Sequence, residues 1–329
     1  MTALNRRSFC HLVASAGALA LLPAVPRANA VAAKSAAKYP AIIGTQQTYT
    51  TRYEDSLVDL ARKHGLGYTE IVAANPGVDP WVPGSGKEIV LPTAHLLPEG
   101  PRQGILINLA DQRMYLFRPD GVSVESVPLG IGNEGWDTPK GSTKVVRKKK
   151  NPTWYVPRSV REDQPELPAI VRPGPNNPLG TRAIYLGWPA YLFHGTNKPY
   201  GVGRRVSHGC VRLYPEDIER LYDSIKIGTP VTVIDQAMKV ARIEDELWLE
   251  VHPSQKQSDE VEQTGKLSPA KPPEFEFRLV KAAGDAADRI DWDKARTAAM
   301  ERRGTPVQIL TEKTTAPPKV SEAPIPIDL

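Results

Sequence analysis

The chain has 329 residues, with 42 Lys and Arg against 37 Asp and Glu, and a formal net charge of +5. Residues 1–30 carry three arginines and no acid, so +5 less these three leaves +2 for the remainder. This near balance argues against a nucleic-acid partner. The length allows two or three domains, and 32 prolines favour short strands joined by turns over long helices.

The first 30 residues have the organisation of a cleaved export signal. An apolar, alanine-rich run over 12–25 precedes a small-x-small pattern at 28–30. The Arg-Arg-Ser-Phe stretch at 6–9 resembles a twin-arginine signal and favours that route over the general secretory route. Arg27 and two prolines interrupt the apolar run before the roughly 18 residues that a spanning helix needs. We therefore expect export without stable membrane insertion.

Residues 46–93 predict a small α+β unit with the order strand, helix, helix, strand. A strand is expected over 47–51, a helix after Ser56 as N-cap, a second helix from Tyr68 and a closing strand over 88–92. The unit resembles a LysM domain through its Asp-Ser-Leu at 55–57, Asn-Pro at 75–76, Gly84 and closing strand, although Glu54 stands where a glycine is common. LysM domains bind glycans that contain N-acetylglucosamine, such as peptidoglycan. The alternative is a packing domain without a ligand.

Residues 103–235 predict a mainly β unit, an antiparallel sandwich or barrel-like fold with one helix. The expected strands cover residues 105–109, 114–117, 122–129, 142–146 and 230–234. The helix is expected to begin at Pro215 and to end by Gly228. The basic run at 147–150 lacks interleaved aromatic residues and is typical of a solvated hairpin end.

The remainder of the chain divides by composition. A β-hairpin extension is expected over 236–252 and a polar, proline-containing linker over 253–273. Residues 274–312 predict a small element with a strand at 275–279 and a helix at 292–302, and residues 313–329 a disordered tail.

Cys210 would be the one cysteine left after export, because Cys10 lies in the signal. A lone cysteine serves as a buried small hydrophobe, a metal ligand or a nucleophile, and the nearby His194 and His208 favour the nucleophile. A free thiol with a pKa of about 8.5 needs a neighbouring base or helix N-terminus to ionise at neutral pH. The amides of Gly209 and Cys210 are candidate oxyanion donors, and Arg212 is a candidate for binding a carboxylate.

The stretch from residue 106 to residue 234 resembles the YkuD-type L,D-transpeptidase catalytic domain. The matching motifs are Thr-Pro-Lys-Gly at 138–141, Asn-Pro-Thr-Trp at 151–154, the Pro-Gly-Pro-Asn-Asn-Pro-Leu-Gly run at 173–180, His-Gly-Thr-Asn at 194–197 and Ser-His-Gly-Cys-Val-Arg-Leu at 207–213. A signal, a LysM unit and this domain in that order look most like periplasmic enzymes of Gram-negative bacteria.

The resemblance implies acyl transfer on the stem tetrapeptide of peptidoglycan. Cys210 would attack the carbonyl of the third stem residue and release the terminal D-alanine, leaving a thioester acyl-enzyme. An amine would then resolve the thioester. If it belongs to a second stem, the product is a 3-3 cross-link, and if it belongs to a lysine of an outer-membrane lipoprotein, the lipoprotein is attached to the wall. No cofactor and no metal is implied.

The resemblance also implies a role for each residue of the site. His194 matches the general base, oriented by the carbonyl of Gly195, and His208 matches a second histidine that shapes the oxyanion pocket. Sequence alone leaves His208 open as the base. The other implied residues are Arg212 near the substrate carboxylate, Ser207 and Gly209 in the nucleophile loop, and Trp154 and Tyr155 in the donor groove or in the core.

Three alternative functions remain open at this point. A zinc hydrolase could use His194, His208 and Cys210 as metal ligands. A wall-binding protein without activity could depend on the LysM unit alone. The same acyl-enzyme could also be resolved by water, which would make an L,D-carboxypeptidase or a hydrolase that detaches lipoprotein from peptidoglycan. The remaining histidines His64, His95 and His252 are expected to be isolated.

Overall fold

The computed structural model describes residues 39–312. The expected export signal at 1–30 and the expected tail at 313–329 lie outside these residues. Between residues 39 and 312, no helix is long and apolar enough to cross a membrane. All of these residues belong to a single compact unit, so the predicted segments pack against one another.

The secondary structure consists of short strands with a few short helices. The strands are β1 (Ile42–Ile43), β2 (Gln47–Thr50), β3 (Glu88–Leu91), β4 (His95–Leu96), β5 (Gly104–Asn108), β6 (Arg113–Phe117), β7 (Val124–Pro128), β8 (Ile131–Gly132), β9 (Gly141–Lys150), β10 (Trp154–Tyr155), β11 (Ile170–Val171), β12 (Arg182–Leu186), β13 (Leu192–His194), β14 (Arg205–Ser207), β15 (Val211–Arg212), β16 (Pro230–Ile234), β17 (Met238–Ile243), β18 (Glu246–Val251) and β19 (Val307–Gln308). The helices are α1 (Leu57–Lys63), α2 (Tyr68–Ala74), α3 (Arg158–Asp163), α4 (Pro215–Tyr222), α5 (Gln255–Thr264), α6 (Phe275–Ala283) and α7 (Trp292–Glu301), with 3-10 turns at Pro199–Gly201 and Gly284–Arg289.

An eight-stranded sheet forms the centre of the fold, with the order β15-β13-β12-β9-β16-β5-β6-β7. The chain is mainly β, as expected, but the expectation of a wholly antiparallel arrangement was wrong, because the sheet is mixed. Strand β16 runs parallel to β5, and β15 runs parallel to β13. Both parallel pairs join strands that are separated by long connections, which parallel pairing requires. Alternating apolar residues predict a strand, but they do not predict whether it runs parallel or antiparallel to its neighbour.

Both faces of this sheet are buried at β5 and β6, whereas β9 is largely exposed. Ile105, Ile107 and Met114 belong to a core that also contains the apolar face of α4. On the other face, Leu106 and Tyr115 pack in a second cluster with residues from outside the sheet. Strand β6 is therefore buried along its whole length instead of alternating between core and solvent.

Helix α4 begins at Pro215 as predicted, and its buried residues are Ile218, Leu221 and Tyr222. It ends at Tyr222, earlier than the expected end at Gly228. The expectation of a single helix in residues 103–235 was wrong, because α3 is also present. Its six residues are too few to show a helical period in the sequence.

The basic run at 147–150 does not form a hairpin end. Strand β9 continues to Lys150 and pairs along this stretch with β12. The guanidinium of Arg147 lies 3.6 Å from the centre of the Tyr185 ring, and Lys148 Nζ donates to the Ile225 carbonyl at 2.7 Å. These cations contribute to packing within the protein through ring and carbonyl contacts.

Residues 46–93, here called the N-terminal unit, contain β2, α1, α2 and β3 in the predicted order. The Ser56 side chain accepts a hydrogen bond from the Asp59 amide and so caps α1 as expected. A buried ion pair joins the unit to the central sheet, with Arg113 Nη1 2.8 Å from Glu70 Oε2. The hydroxyl of Tyr214 also donates to the Leu66 carbonyl at 3.1 Å. The unit is therefore docked firmly on the sheet.

The expectation of a linker over 253–273 was wrong, because this segment contains α5. A capping box of Ser254 and Gln257 begins the helix, and Gly265, with a φ of 66°, ends it. Val261 is buried in the core of the N-terminal unit. The helix has few apolar residues, so its composition did not predict a helix that is stabilised by its caps and by one buried apolar side chain.

The C-terminal region agrees with the sequence in part. The hairpin β17–β18 was predicted correctly, and β19 adds a third strand to it. Helix α7 begins at Trp292 as expected, but the predicted strand at 275–279 is the first half of α6. Phe275 and Leu279 are buried and lie one helical turn apart, whereas Phe277 is 65% exposed. The alternation of apolar residues was therefore not a strand pattern.

Candidate active site

Two neighbouring strands bring His194 and Cys210 to one side of the sheet. Strands β13 and β15 run parallel, with His194 opposite Arg212 and Phe193 opposite Val211. Cys210 precedes Arg212 by two residues, and side chains two apart on an extended chain share a face. The sequence-predicted base, nucleophile and carboxylate-binding residue therefore lie along the same edge.

The nucleophile loop, residues 207–210, is fixed by hydrogen bonds from side chains. Ser207 Oγ donates to the Cys210 carbonyl at 2.5 Å, and Thr138 Oγ1 donates to the Gly209 carbonyl at 2.9 Å. Gly209 has a φ of 93°, and a Cβ there would lie 2.8 Å from Cε1 of Tyr191. Glycine is therefore required at this position by both conformation and space.

The backbone amides of Gly209 and Cys210 are available for a ligand. Across residues 39–312, neither amide donates a hydrogen bond to a protein acceptor. Two adjacent free amides beside a thiol form the kind of site that stabilises the oxyanion of a tetrahedral intermediate. The sequence analysis named the same two amides as candidate oxyanion donors.

The Cys210 thiol is partly buried among apolar side chains. Its Sγ lies 3.4 Å from the Ala190 carbonyl oxygen, to which it donates. The residue packs against a cluster of Leu179, Ala183 and Leu192. Burial raises the pKa of the thiol, and the Leu192 amide and the charge of Arg212 counteract this only in part. The resting side chain is therefore a neutral thiol that needs a base.

His194 is buried, and its orientation is fixed by the next residue. Its Nδ1 lies 2.5 Å from the Gly195 carbonyl oxygen, the contact that the family resemblance implied. A carbonyl only accepts, so this contact places the proton on Nδ1 and leaves the Nε2 lone pair as the basic site. Burial, followed by the positive charge of Arg212, lowers the pKa of His194 to about 3. The imidazole is therefore neutral at physiological pH.

His208 has different surroundings. Its Nε2 lies 3.3 Å from Oδ2 of Asp163 at the end of α3. Its ring meets the ring of Trp136 edge to face, with centroids 4.8 Å apart. The histidine nearest to Cys210 in sequence is thus held by a carboxylate and an indole, and not by the thiol.

Arg212 carries a partly buried positive charge, and among residues 39–312 no carboxylate pairs with it. Its Nε atom is buried without a hydrogen-bond partner. Burial lowers the pKa of its guanidinium, and the nearby Cys210 thiol acts in the opposite direction. An unpaired buried cation is costly, and an anionic ligand would relieve that cost.

The structure separates the two aromatic residues that were predicted for the donor groove. Trp154 packs against the apolar cluster that Cys210 also contacts. Tyr155 is 72% exposed, because successive residues of β10 face opposite sides. Only Trp154 is therefore brought close to the thiol.

Sequence reasoning did not find four residues of the site. Thr138 was noted within a matching motif but not as a support of the nucleophile loop, and Trp136 stands two residues before it. Asp163 and Ala190 contact the site from segments without a recognisable pattern. An acid in a six-residue helix gives no sequence signal for its contact with a distant histidine.

The histidines outside the site are not all isolated. His252 Nε2 lies 2.5 Å from Glu250 Oε1, inside a buried group that includes Asp111 and Lys239. Within residues 39–312, Asp111, Glu250 and His252 are the three side chains that could hold a metal together, and the ammonium of Lys239 lies between the two carboxylates.

The three ligands proposed for zinc, His194, His208 and Cys210, are not brought together as such a group among residues 39–312. The zinc-hydrolase interpretation therefore loses its geometric basis.

A thiol, two imidazoles and a guanidinium around β13 and β15 are the residue types of an enzyme active site. The YkuD profile, an L,D-transpeptidase catalytic domain, matches residues 102–233. Probable L,D-transpeptidase ErfK/SrfK of Escherichia coli (strain K12) is 37% identical over 274 residues, which cover 80% of this chain and 86% of that protein. Probable L,D-transpeptidase YcfS of the same strain is 43% identical over 194 residues, covering 56% and 61%.

The chain therefore belongs to the L,D-transpeptidase family and is an enzyme of that class. The alternative of a protein without activity is not retained. The NMR structure of the catalytic domain of the E. faecium L,D-transpeptidase is 22% identical over 40% of this chain and 96% of that one. Its TM-score of 0.32 is too low for the superposition to add to the sequence match.

Proposed function

We propose that the protein is a periplasmic, cysteine-dependent L,D-transpeptidase that acts on the stem tetrapeptides of peptidoglycan. The observation that carries this proposal is the edge formed by β13 and β15, where a thiol, a neutral imidazole and an unpaired guanidinium lie together. The free amides of the nucleophile loop complete the requirements for acyl transfer from a peptide carbonyl.

The first half of the reaction transfers the acyl group to sulfur. The Cys210 sulfur attacks the carbonyl carbon of the third stem residue while its proton passes to Nε2 of His194. The amides of Gly209 and Cys210 donate to the resulting oxyanion. Collapse of the intermediate breaks the peptide bond, and the imidazolium returns its proton to the departing D-alanine amine, which leaves a thioester. Arg212 binds a carboxylate of the donor.

In the second half, an amine attacks the thioester and gives its proton to His194, which passes it to the departing Cys210 sulfur and so restores the thiol. An amine of a second stem gives a 3-3 cross-link, and a lysine of an outer-membrane lipoprotein gives a wall-anchored lipoprotein. The apolar side chains of Leu179, Leu192 and Trp154 beside the thiol limit the access of water. This favours an amine over hydrolysis, which would make the protein a carboxypeptidase or a lipoprotein-releasing hydrolase.

The choice of His194 as base is supported by its hydrogen bond to Gly195, which places a proton on Nδ1 and leaves Nε2 as the unprotonated nitrogen of the neutral ring. His208 is assigned to shaping the pocket, because Asp163 and Trp136 hold its ring. The low pKa of His194 keeps it in the form that accepts a proton across the physiological range.

We further propose that the N-terminal unit is a LysM domain that binds the glycan of peptidoglycan. Its β2-α1-α2-β3 order and its sequence motifs support this, as does Trp81, which is 55% exposed in the loop between α2 and β3. Exposed aromatic rings provide flat apolar faces for sugar rings. Trp81→Ala is expected to reduce retention on insoluble peptidoglycan without changing acylation by a small soluble donor.

The deciding experiment is mass spectrometry of purified disaccharide tetrapeptides after incubation with the enzyme. Transpeptidation gives a dimer with the loss of one D-alanine, whereas hydrolysis gives only the tripeptide. Cys210→Ser is expected to fold normally and to lose at least two orders of magnitude in rate, because a hydroxyl is a weaker nucleophile. Retention of near-normal turnover by this variant would refute the proposed nucleophile.

A further inference from the structure

The nucleophile loop is the end of a short segment that other parts of the chain hold from two sides. Residues 202–206, here called the approach segment, lead directly into the loop at 207–210. Strand β14 begins in it at Arg205, ends at Ser207 and pairs in parallel with β8, and the Ile131 amide donates to the Arg204 carbonyl at 2.9 Å. A displacement of this segment would be transmitted through Ser207 to the Cys210 backbone.

Helix α2 of the N-terminal unit holds the start of the approach segment. The amide and the hydroxyl of Thr69 both donate to the Gly203 carbonyl, at 3.0 and 2.8 Å, and the Tyr68 amide donates to Val202 at 3.3 Å. A Cβ on Gly203 would lie 2.1 Å from the Tyr68 nitrogen and 2.3 Å from the Gly67 Cα. The two backbones are therefore in direct contact, with no room for a side chain.

Helix α5 holds the same segment two residues after Gly203, at Arg205. Arg205 is buried, and its guanidinium contacts Asp259 of α5 and, at 3.2 Å, Asp137. Asp137 stands between Trp136, which contacts His208, and Thr138, which donates to Gly209. Arg205 thus connects α5 both to the chain that continues into the nucleophile loop and to the segment that supports this loop.

Helices α2 and α5 pack together in the same part of the structure. Val261 of α5 lies in the core of the N-terminal unit. Arg204, between the two anchored residues, lies 3.6 Å from the centre of the Tyr68 ring and pairs with Glu262 of α5 at 3.0 Å. Neither helix contributes an atom to the proposed chemistry, yet together they fix the chain five to eight residues before the nucleophile.

We propose that Thr69 and Asp259 are positioning residues for the reaction at Cys210, and that the N-terminal unit with α5 is a structural component of the active site as well as a wall-binding module. This inference rests on the proposed function, since it concerns the rate of thiol acylation. Misplacement of reacting groups by about 1 Å can cost two orders of magnitude in rate. We therefore expect the acylation rate to respond to residues that contact no substrate.

The test uses the full-length mature protein and two probes that act at the thiol. A carbapenem β-lactam, followed by intact-protein mass spectrometry, gives the maximal acylation rate constant and the half-saturating concentration. Iodoacetamide gives the rate of simple alkylation, which needs an accessible thiolate but no oxyanion site. The variants are Thr69→Val, which keeps the shape but removes the hydroxyl, Thr69→Ser, which restores it, Asp259→Asn, and the exposed control Lys256→Ala on the same helix.

We expect Thr69→Val and Asp259→Asn to lower the maximal acylation rate constant roughly tenfold, with half-saturation and alkylation within about twofold of wild type. Thr69→Ser and Lys256→Ala should stay within about twofold in every measurement. Unchanged maximal rates in Thr69→Val and Asp259→Asn, or an equal loss in Thr69→Ser, would overturn the inference.

If Asp259→Asn fails to fold, the comparison of Thr69→Val with Thr69→Ser tests the inference. A wild-type protein that is not acylated at Cys210 would instead refute the proposed function, and the inference with it, before any variant is compared.

Discussion

Lys239→Met should destabilise the protein strongly, although residue 239 lies outside the catalytic domain. The Lys239 ammonium is buried between β17, β18 and the central sheet, with Nζ 2.8 Å from Asp111 Oδ2 and 2.5 Å from Glu250 Oε1. It also donates to the Leu96 carbonyl at 3.0 Å and to the Tyr115 hydroxyl at 3.1 Å. Methionine fills a similar volume but removes the charge, so two carboxylates lose their buried partner.

The expected loss follows from that uncompensated charge. Breaking a buried ion pair by removing one partner typically costs about 3–5 kcal/mol of unfolding free energy. Burial acts to raise the pKa of Asp111, but the charges of Lys239 and His252 and the hydrogen bonds from Lys239 and Tyr115 together outweigh it, so the pKa is lowered in the native protein. A lowered native pKa gives stability above the unfolded pKa of about 3.9, and this stability is lost as pH falls through the native value. In the variant, burial without the ammonium raises the pKa of Asp111, so this carboxyl takes up a proton above pH 4 and the cost of the stranded charge falls. The difference between wild type and variant should therefore narrow as the pH falls toward 4.

Urea denaturation followed by tryptophan fluorescence at pH 7.5 and pH 4.5 measures the loss of unfolding free energy and its dependence on pH. Lys256→Met, at an exposed site, is the matched control and should change the unfolding free energy by less than about 0.5 kcal/mol. Adding Glu250→Gln to Lys239→Met should restore part of the loss, because one of the two stranded carboxylates is removed. A loss below about 1 kcal/mol, or a loss that does not depend on pH, would refute the electrostatic reasoning.

Three further predictions concern the site and the C-terminal region. The alkylation rate of Cys210 by iodoacetamide should rise with pH about a midpoint above that of a free thiol, and Arg212→Gln should move this midpoint higher, because the arginine lowers the thiol pKa. Gly209→Ala should lower carbapenem acylation tenfold or more, since φ is 93° there, and a normal rate would contradict the loop geometry. Phe275→Ala should cost about 3–5 kcal/mol in urea unfolding and Phe277→Ala less than about 0.5 kcal/mol, whereas a strand would make the costs equal.

The parts of the fold that the sequence predicted correctly have local signals. Ser56 begins α1, Pro215 begins α4, and the hairpin β17–β18 follows from two alternating apolar runs. His194 and Cys210, which the motifs singled out, lie in β13 and directly before β15, and these two strands pair. In each case a few neighbouring residues determine the local structure, so the pattern can be read without the rest of the chain.

The parts of the fold that the sequence did not predict depend on contacts between distant segments. Helix α5 has one residue, Val261, in the core of the N-terminal unit, and a single apolar residue has no period. The carboxylate of Asp163 reaches His208 across 45 positions of sequence. The direction of β16 relative to β5 depends on the path of the intervening chain and not on the composition of either strand. Such features require the three-dimensional arrangement.

The second buried face of the central sheet has a practical consequence for work with fragments. Leu106, Tyr115 and Phe117 are covered partly by Leu97 and Tyr39, which lie outside the residues that match the catalytic domain. A fragment trimmed to residues 102–233 would expose this apolar surface to solvent and would be prone to aggregation. Recombinant expression for crystallisation or inhibitor screening should therefore retain the flanking segments on both sides.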